Sequence, residues 1–130
     1  MMMKIRFPTS QDIYIEVNGK KLAIVESYKA KSIQDSKYIE ALGEKEPVGV
    51  ITGKVNHLIE LSRIYSCCDL DGDCINFYNL KDFNLVIVKP DRKIVYSNCE
   101  WIGINESASV NDTILENIRI ISAKRMEIVQ

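Results

Sequence analysis

Asp69-Leu70-Asp71-Gly72-Asp73 is the run whose residue types look most like a metal site. Alternating acids open an EF-hand calcium loop, but that loop needs glycine at its sixth position and a bidentate glutamate at its twelfth. Here those positions hold Cys74 and Leu80. The run reads as a tight acidic turn, with Asp73 capping a following helix. Cys67, Cys68, Cys74, Cys99 and the single histidine, His57, are the other metal candidates. No pair has the Cys-x-x-Cys spacing of a zinc knuckle, and adjacent cysteines such as Cys67 and Cys68 are strained when bridged. Free, mostly buried thiols are the expectation, and a small metal-binding or hydrolytic domain is the alternative.

Catalysis has little to draw on. A histidine-based triad would rest on His57 alone, and no nucleophile elbow, phosphate loop or dinucleotide fingerprint occurs. His57 falls on the mainly apolar face of its segment, as a core or interface histidine would. No catalytic, cofactor-binding or metal residue is assigned, and the expected protein is not an enzyme and takes no cofactor. Lys29, Lys31 and Lys37 form a small basic cluster near Glu40, Glu44 and Glu46. They are either a solvated face or a set of opposite charges that pairs between copies of the chain.

The elements that would position these residues are mostly strands. At 130 residues the chain is expected to be one domain, spanning 1–130. A hydrophobic share of 46% with 27% charged residues is globular, not disordered. A net charge of -1 gives no basic excess for reading nucleic acid, though DNA could slide through a neutral channel. No apolar run approaches the ~18 residues of a membrane span. The segment from Met1 to Pro8 is too short and interrupted for a signal peptide, so synthesis in the cytoplasm is expected.

Asp12 to Val17 alternates strictly, and Asn18-Gly19 supplies the two positive φ angles of a type I′ turn. A second strand is predicted from Leu22 to about Ile33. Gln34 to Val48, with Gly43 and Pro47, reads as a loop with at most one helical turn. Val48 to Tyr65 is a long half-buried strand. Ile51, Val55, Ile59, Leu61 and Tyr65 share one face, and Thr52, Lys54, Asn56, Glu60 and Ser62 share the other. Gly49 and Gly53 suggest a bulge or bend. Phe77, Leu80 and Phe83, three residues apart, predict a short α-helix after Asp73. Strands follow at Leu85 to Val88, at Lys93 to Ser97 with an extension from Trp101 to Ile104 past a bulge at Asn98-Cys99, and at Thr113 to Lys124. The fold class is mainly β: an antiparallel β-barrel or sandwich with one flanking α-helix. Long unprotected edge strands are a liability in a monomer, and oligomeric pairing removes it.

Three segments together resemble the tail tube proteins of contractile phages and of the phage-like tailocins of Gram-positive bacteria. The first is Val17-Asn18-Gly19 leading to Glu26-Ser27-Tyr28-Lys29-Ala30. The second is Gly43-Glu44-Lys45-Glu46-Pro47-Val48 with Gly53 and Ile59-Glu60-Leu61-Ser62-Arg63-Ile64. The third is Cys99-Glu100-Trp101 with Glu106-Ser107-Ala108-Ser109-Val110-Asn111-Asp112 and Ala123-Lys124-Arg125. The resemblance implies a structural subunit that closes into hexameric rings and stacks them into a tube around a channel. It implies partners of its own kind, sheath and baseplate proteins, and possibly DNA passing without specific binding. It also implies assembly in the bacterial cytoplasm and residence in a phage or tailocin tail. Ser36 to Val48 would be the loop that stacks rings, with Lys37, Tyr38, Glu40, Leu42, Glu44, Glu46 and Pro47. The strands at Leu22 to Ile33, Val50 to Ser62 and Ile114 to Ala123 would build the channel wall, with Tyr28, Lys29, Lys31, Thr52, Lys54, Asn56, Glu60 and Glu116. The same fold serves tube initiators and baseplate parts, the alternative role.

Overall fold

A computed structural model of the chain describes residues 5, 7–22, 24–65 and 75–129. The calcium-like run Asp69 to Asp73 and Cys67, Cys68 and Cys74 lie outside them. The seven strands are β1 (Tyr14–Val17), β2 (Lys20–Lys21), β3 (Val25–Ile39), β4 (Gly49–Ile64), β5 (Phe83–Val88), β6 (Arg92–Ala108) and β7 (Ile114–Val129). They form one antiparallel sheet in the order β2-β1-β5-β6-β7-β4-β3.

Asn18 at φ 51° and Gly19 at φ 82° make the expected turn, which joins β1 to β2. The predicted second strand from Leu22 to Ile33 does not continue that hairpin. Ile24 adopts φ 56°, a conformation that interrupts an extended strand. Beyond it β3 pairs with β4, on the opposite edge of the sheet.

The sheet curls. Buried residues from strands far apart in the order meet in one core: Ile15 and Val17 of β1, Ile59 and Leu61 of β4, Leu85 and Ile87 of β5, and Ile118 and Ile120 of β7. Phe77 and Phe83 seal it, edge to face with ring centres 6.1 Å apart. The ends β2 and β3 do not pair, so the described sheet is an open curl and the expected closed barrel or two-sheet sandwich is not seen.

The predicted α-helix is replaced, over the described residues, by a three-residue 3₁₀ turn, Phe77–Asn79, capped by the Asn76 side chain. Leu80 is already extended, Asp82 turns the chain at φ 48°, and Phe83 opens β5. A spacing of three fits one 3₁₀ turn followed by extended chain as well as it fits a helix. Arg63 holds this segment down. It donates from Nη2 to the Ile75 carbonyl at 2.7 Å, lies over the Phe77 ring, and pairs with the buried Glu116 at 2.9 Å.

Bulges appear where the sequence suggested them. Gln34 faces Val55 but Ser36 faces Thr52, so β4 carries an extra residue at Gly53. Asn98, at φ 54°, marks the slip between β5 and β6.

Candidate functional site

The expected loop from Gln34 to Val48 is shorter than predicted, because β3 runs on to Ile39. Ser36, Lys37, Tyr38 and Ile39 pair with Thr52, Ile51, Val50 and Gly49. Backbone pairing holds these residues extended although their side chains fit no period. The remaining loop turns at Ala41–Glu44, with Gly43 at φ 85°.

β4 pairs with β7 only from His57 to Ile64, opposite Ser122 to Leu115. Gly49 to Asn56 therefore has β3 alone as a partner, and the two strands form an arm that projects from the body. Gly53 lets the arm bend. A Cβ at that position would sit 1.7 Å from the Asp35 carbonyl oxygen, which no side chain tolerates.

The arm is apolar and uncovered. Leu42 is fully exposed at its tip, Tyr38 is 70% exposed, and Ile33, Val50, Ile51 and Val55 are all exposed. Ile51 and Val55 were expected on a half-buried face. The bulge at Gly53 breaks that face: Val55, Thr52 and Val50 lie beside Gln34, Ser36 and Tyr38 on one side, and Ile51 turns with Lys37 to the other, so the expected shared face of Ile51 and Val55 is not formed. Exposed apolar side chains therefore stand on both faces of the arm, Tyr38, Val50 and Val55 on one and Ile33 and Ile51 on the other. Lys37, Tyr38, Glu40, Leu42, Glu44, Glu46 and Pro47 all lie exposed on the arm and its tip, and so do Thr52, Lys54 and Asn56.

Unpaired strand edges form the second feature. Among the described residues β3 has β4 on one side and no strand on the other. Glu100 to Ala108 of β6 pairs with β7, while β5 stops opposite Cys99. Among the described residues that stretch of β6 has no partner on its other side.

The outer face of β6-β7-β4-β3 is the third. Cross-strand pairing sets its residues in rows: Ser27-Ser62-Asn117-Asn105, then Lys29-Glu60-Arg119-Gly103, then Lys31-Leu58-Ile121-Glu100. Arg119 Nε lies 3.5 Å from Glu60 Oε1. Alternating signs across the middle row stabilise the pairing modestly, because the groups are about half exposed. Lys29, Lys31 and Glu60 share this face. Tyr28 and Glu116 do not: Tyr28 packs against the core and Glu116 is buried against Arg63. Asn105, Asn117 and Arg119 were not singled out from sequence. For Asn117 and Arg119 the signal was the polar alternation of the last strand, and Asn105 joins them only through the pairing of β6 with β7.

The inner face carries the chain's one histidine. His57 is buried, and its Nδ1 lies 2.7 Å from Ser32 Oγ. Its ring meets Tyr96 edge to face at 5.8 Å. Burial first, and the Arg125 cation second, hold its pKa below the ordinary value of 6.5. Cys99 is buried and donates to the Tyr96 carbonyl, and burial pushes its thiol up to about 11. Among the described residues no three His, Cys, Asp or Glu side chains stand together as metal ligands would.

The described chain thus presents unpaired strand edges, an arm with exposed apolar residues and a polar outer face. Its fold is known from particles. No protein-family model matches the chain, and no curated protein matches its sequence. Solved structures do match over nearly all of it. The SPP1 tail tube superposes with a TM-score of 0.75 at 13% identity, over 95% of this chain and 80% of that one. A chain from the tail of an empty gene transfer agent particle, refined with C6 symmetry, gives 0.67 at 11% identity, over 94% and 98%. A chain of the tube-terminating cap of the anti-feeding prophage gives 0.69 at 10% identity, over 100% and 97%. The class is thus defined by shape: this chain has the tail-tube fold, shared with tubes and tube terminators. Identities this low establish the fold and nothing narrower.

Proposed function

We propose that this chain is a structural subunit of a phage or phage-like contractile tail tube, and that it works by self-assembly as stacked hexameric rings around a channel. The observation that carries the reading is the pair of free edges at the two ends of β6-β7-β4-β3. β3 and β6 run in opposite directions. Rotation about an axis along the strands leaves strand direction unchanged. Each copy's β3 therefore meets its neighbour's β6 antiparallel, and closure leaves no edge exposed. Tyr28 braces this wall from inside the subunit, and Lys29, Lys31, Glu60, Asn117 and Arg119 line the channel. Lys37, Tyr38, Glu40, Leu42, Glu44, Glu46 and Pro47 reach the next ring, where the apolar arm is covered. The C6 symmetry of one similar tail supports the hexamer.

In this reading the partners are further copies, sheath and baseplate proteins, with DNA passing the mixed-charge wall without specific contact. The chain is not an enzyme. It is made in the bacterial cytoplasm and ends in a phage or tailocin tail. Negative-stain electron microscopy of concentrated protein, alone and with a cognate baseplate extract, tests the proposal. Tubes with a central channel support it, and dispersed particles under both conditions overturn it. A tube terminator or initiator of the same fold is the second reading, favoured by the similarity to a tube-terminating cap. Single rings that never stack would select it.

A further inference from the structure

The arm leaves the body at one residue. On one side of it, Leu58 to Ile64 is zipped to β7; on the other, Gly49 to Asn56 has left β7 behind. That residue is His57, the last β4 position paired with β7 and the only histidine in the chain. We propose that His57 is a proton-sensitive pin that sets how β4, and with it the apolar arm, departs from β7.

The surroundings make a proton costly there. From β3, Ser32 Oγ holds Nδ1 at 2.7 Å. A hydroxyl can donate to a neutral ring nitrogen or accept from a protonated one, so this contact orients the ring in either state. From β6, the Tyr96 ring packs against the imidazole edge. From β7, Ser122 is the paired residue and its hydroxyl is spent on the Ser97 carbonyl at 2.7 Å. Arg125, three residues further along β7, is the cation that acts on His57. The carboxylate associated with Arg125 is Glu127, at 3.8 Å, and Glu127 also accepts from Arg92. No carboxylate faces the imidazole from these strands among the described contacts. A second positive charge beside Arg125 at the fork is relieved by letting β4 and β7 separate further. Neutral His57 keeps the fork closed; protonated His57 opens it and swings the arm.

The device does not depend on what the arm docks against. One histidine gives one imidazole Cε1–H resonance, so a proton NMR titration of the whole chain from about pH 8 to about pH 4.5 reads it directly. The expected midpoint lies below 6.5. Backbone amides of Gly49 to Asn56 move with that same midpoint, while those of Ile118 and Ile120 stay still. In Arg125→Gln the imidazole midpoint rises toward 6.5 and the arm amides follow it. In His57→Gln the arm amides no longer respond. Arm amides that ignore the His57 titration, or that titrate alike in His57→Gln, overturn the proposal. Should His57→Gln not fold, the exposed Arg125→Gln decides alone: separate midpoints for imidazole and arm would sink the idea.

Discussion

The body and the arm are made of the same two long strands and behave as opposites. From His57 to Leu61, β4 lies between β3 and β7, and alternate residues Ile59 and Leu61 are sealed in the core. From Gly49 to Asn56 the same strand has one neighbour, and Val50, Ile51 and Val55 stand in solvent. Both halves carry apolar residues, but the bulge at Gly53 divides those of the arm between its two faces. The difference is what lies beside and across from them: β7 and the core in the body, β3 alone on the arm. The body buries its apolar residues within one copy, and the arm does not.

The sharpest way to break this contrast is to cut the body. Phe83→Ala removes a fully buried ring that packs on Phe77 and should cost about 3–5 kcal/mol in denaturant unfolding. An equally large truncation on the arm should leave the single copy nearly untouched. Arg63→Ala comes next, at about 3 kcal/mol, because it strands the buried Glu116 carboxylate and frees Ile75 and Phe77. A loss under about 1 kcal/mol would show that the pair is not part of the body's stability.

Gly53→Ala sits at the border between the regions. The new Cβ collides with the Asp35 backbone, so the hairpin must shift at a cost of about 1–3 kcal/mol. Assembly should fail while the core stays intact, as read by Ile118 and Ile120 amide protection against that of the arm. Tyr38→Ser should change single-copy stability by less than about 0.5 kcal/mol and still abolish tubes in electron micrographs. If tubes form normally, the arm is not the stacking element. The smallest effect is a negative one. Buried Cys99, with its thiol pushed up to about 11, should resist alkylation at about pH 8 until urea opens the body, as mapped by peptide mass spectrometry.

His57 adds a pH term to the body. Its folded pKa is lowered, so the unfolded chain binds the proton first. This group's contribution is fully present above pH about 6.5 and is lost as pH falls through the folded value.

Much of the fold was legible locally. Asn18-Gly19 makes its turn because only such residues accept two positive φ angles cheaply, and Gly53 makes its bulge because backbone approaches there. Strand identity followed from period-two alternation over Asp12 to Val17 and at Ile59 and Leu61. Two expectations failed for a shared reason. The Phe77, Leu80, Phe83 spacing suggested a helix, and Gln34 to Ile39 suggested a loop, because both were judged on side-chain period alone. In the first, burial of two rings is met by a single 3₁₀ turn and a strand start. In the second, hydrogen bonds from β4 impose extension on residues with no period of their own.

The candidate site divides the same way. Charge and polarity at Lys29, Lys31 and Glu60 could be read directly, and so could the turn chemistry of Gly43. Sequence by itself determined the alternating strands, the turns and bulges that glycine and asparagine permit, and the mixed charge. These depend on each residue's own φ, ψ and solvation. Only the tertiary structure decided that β3 crosses to the far edge, that Glu116 turns inward to Arg63, and that β4 parts from β7 at His57. Those outcomes depend on which distant strand supplies the hydrogen bonds and the covering side chains, and no local pattern encodes that partner.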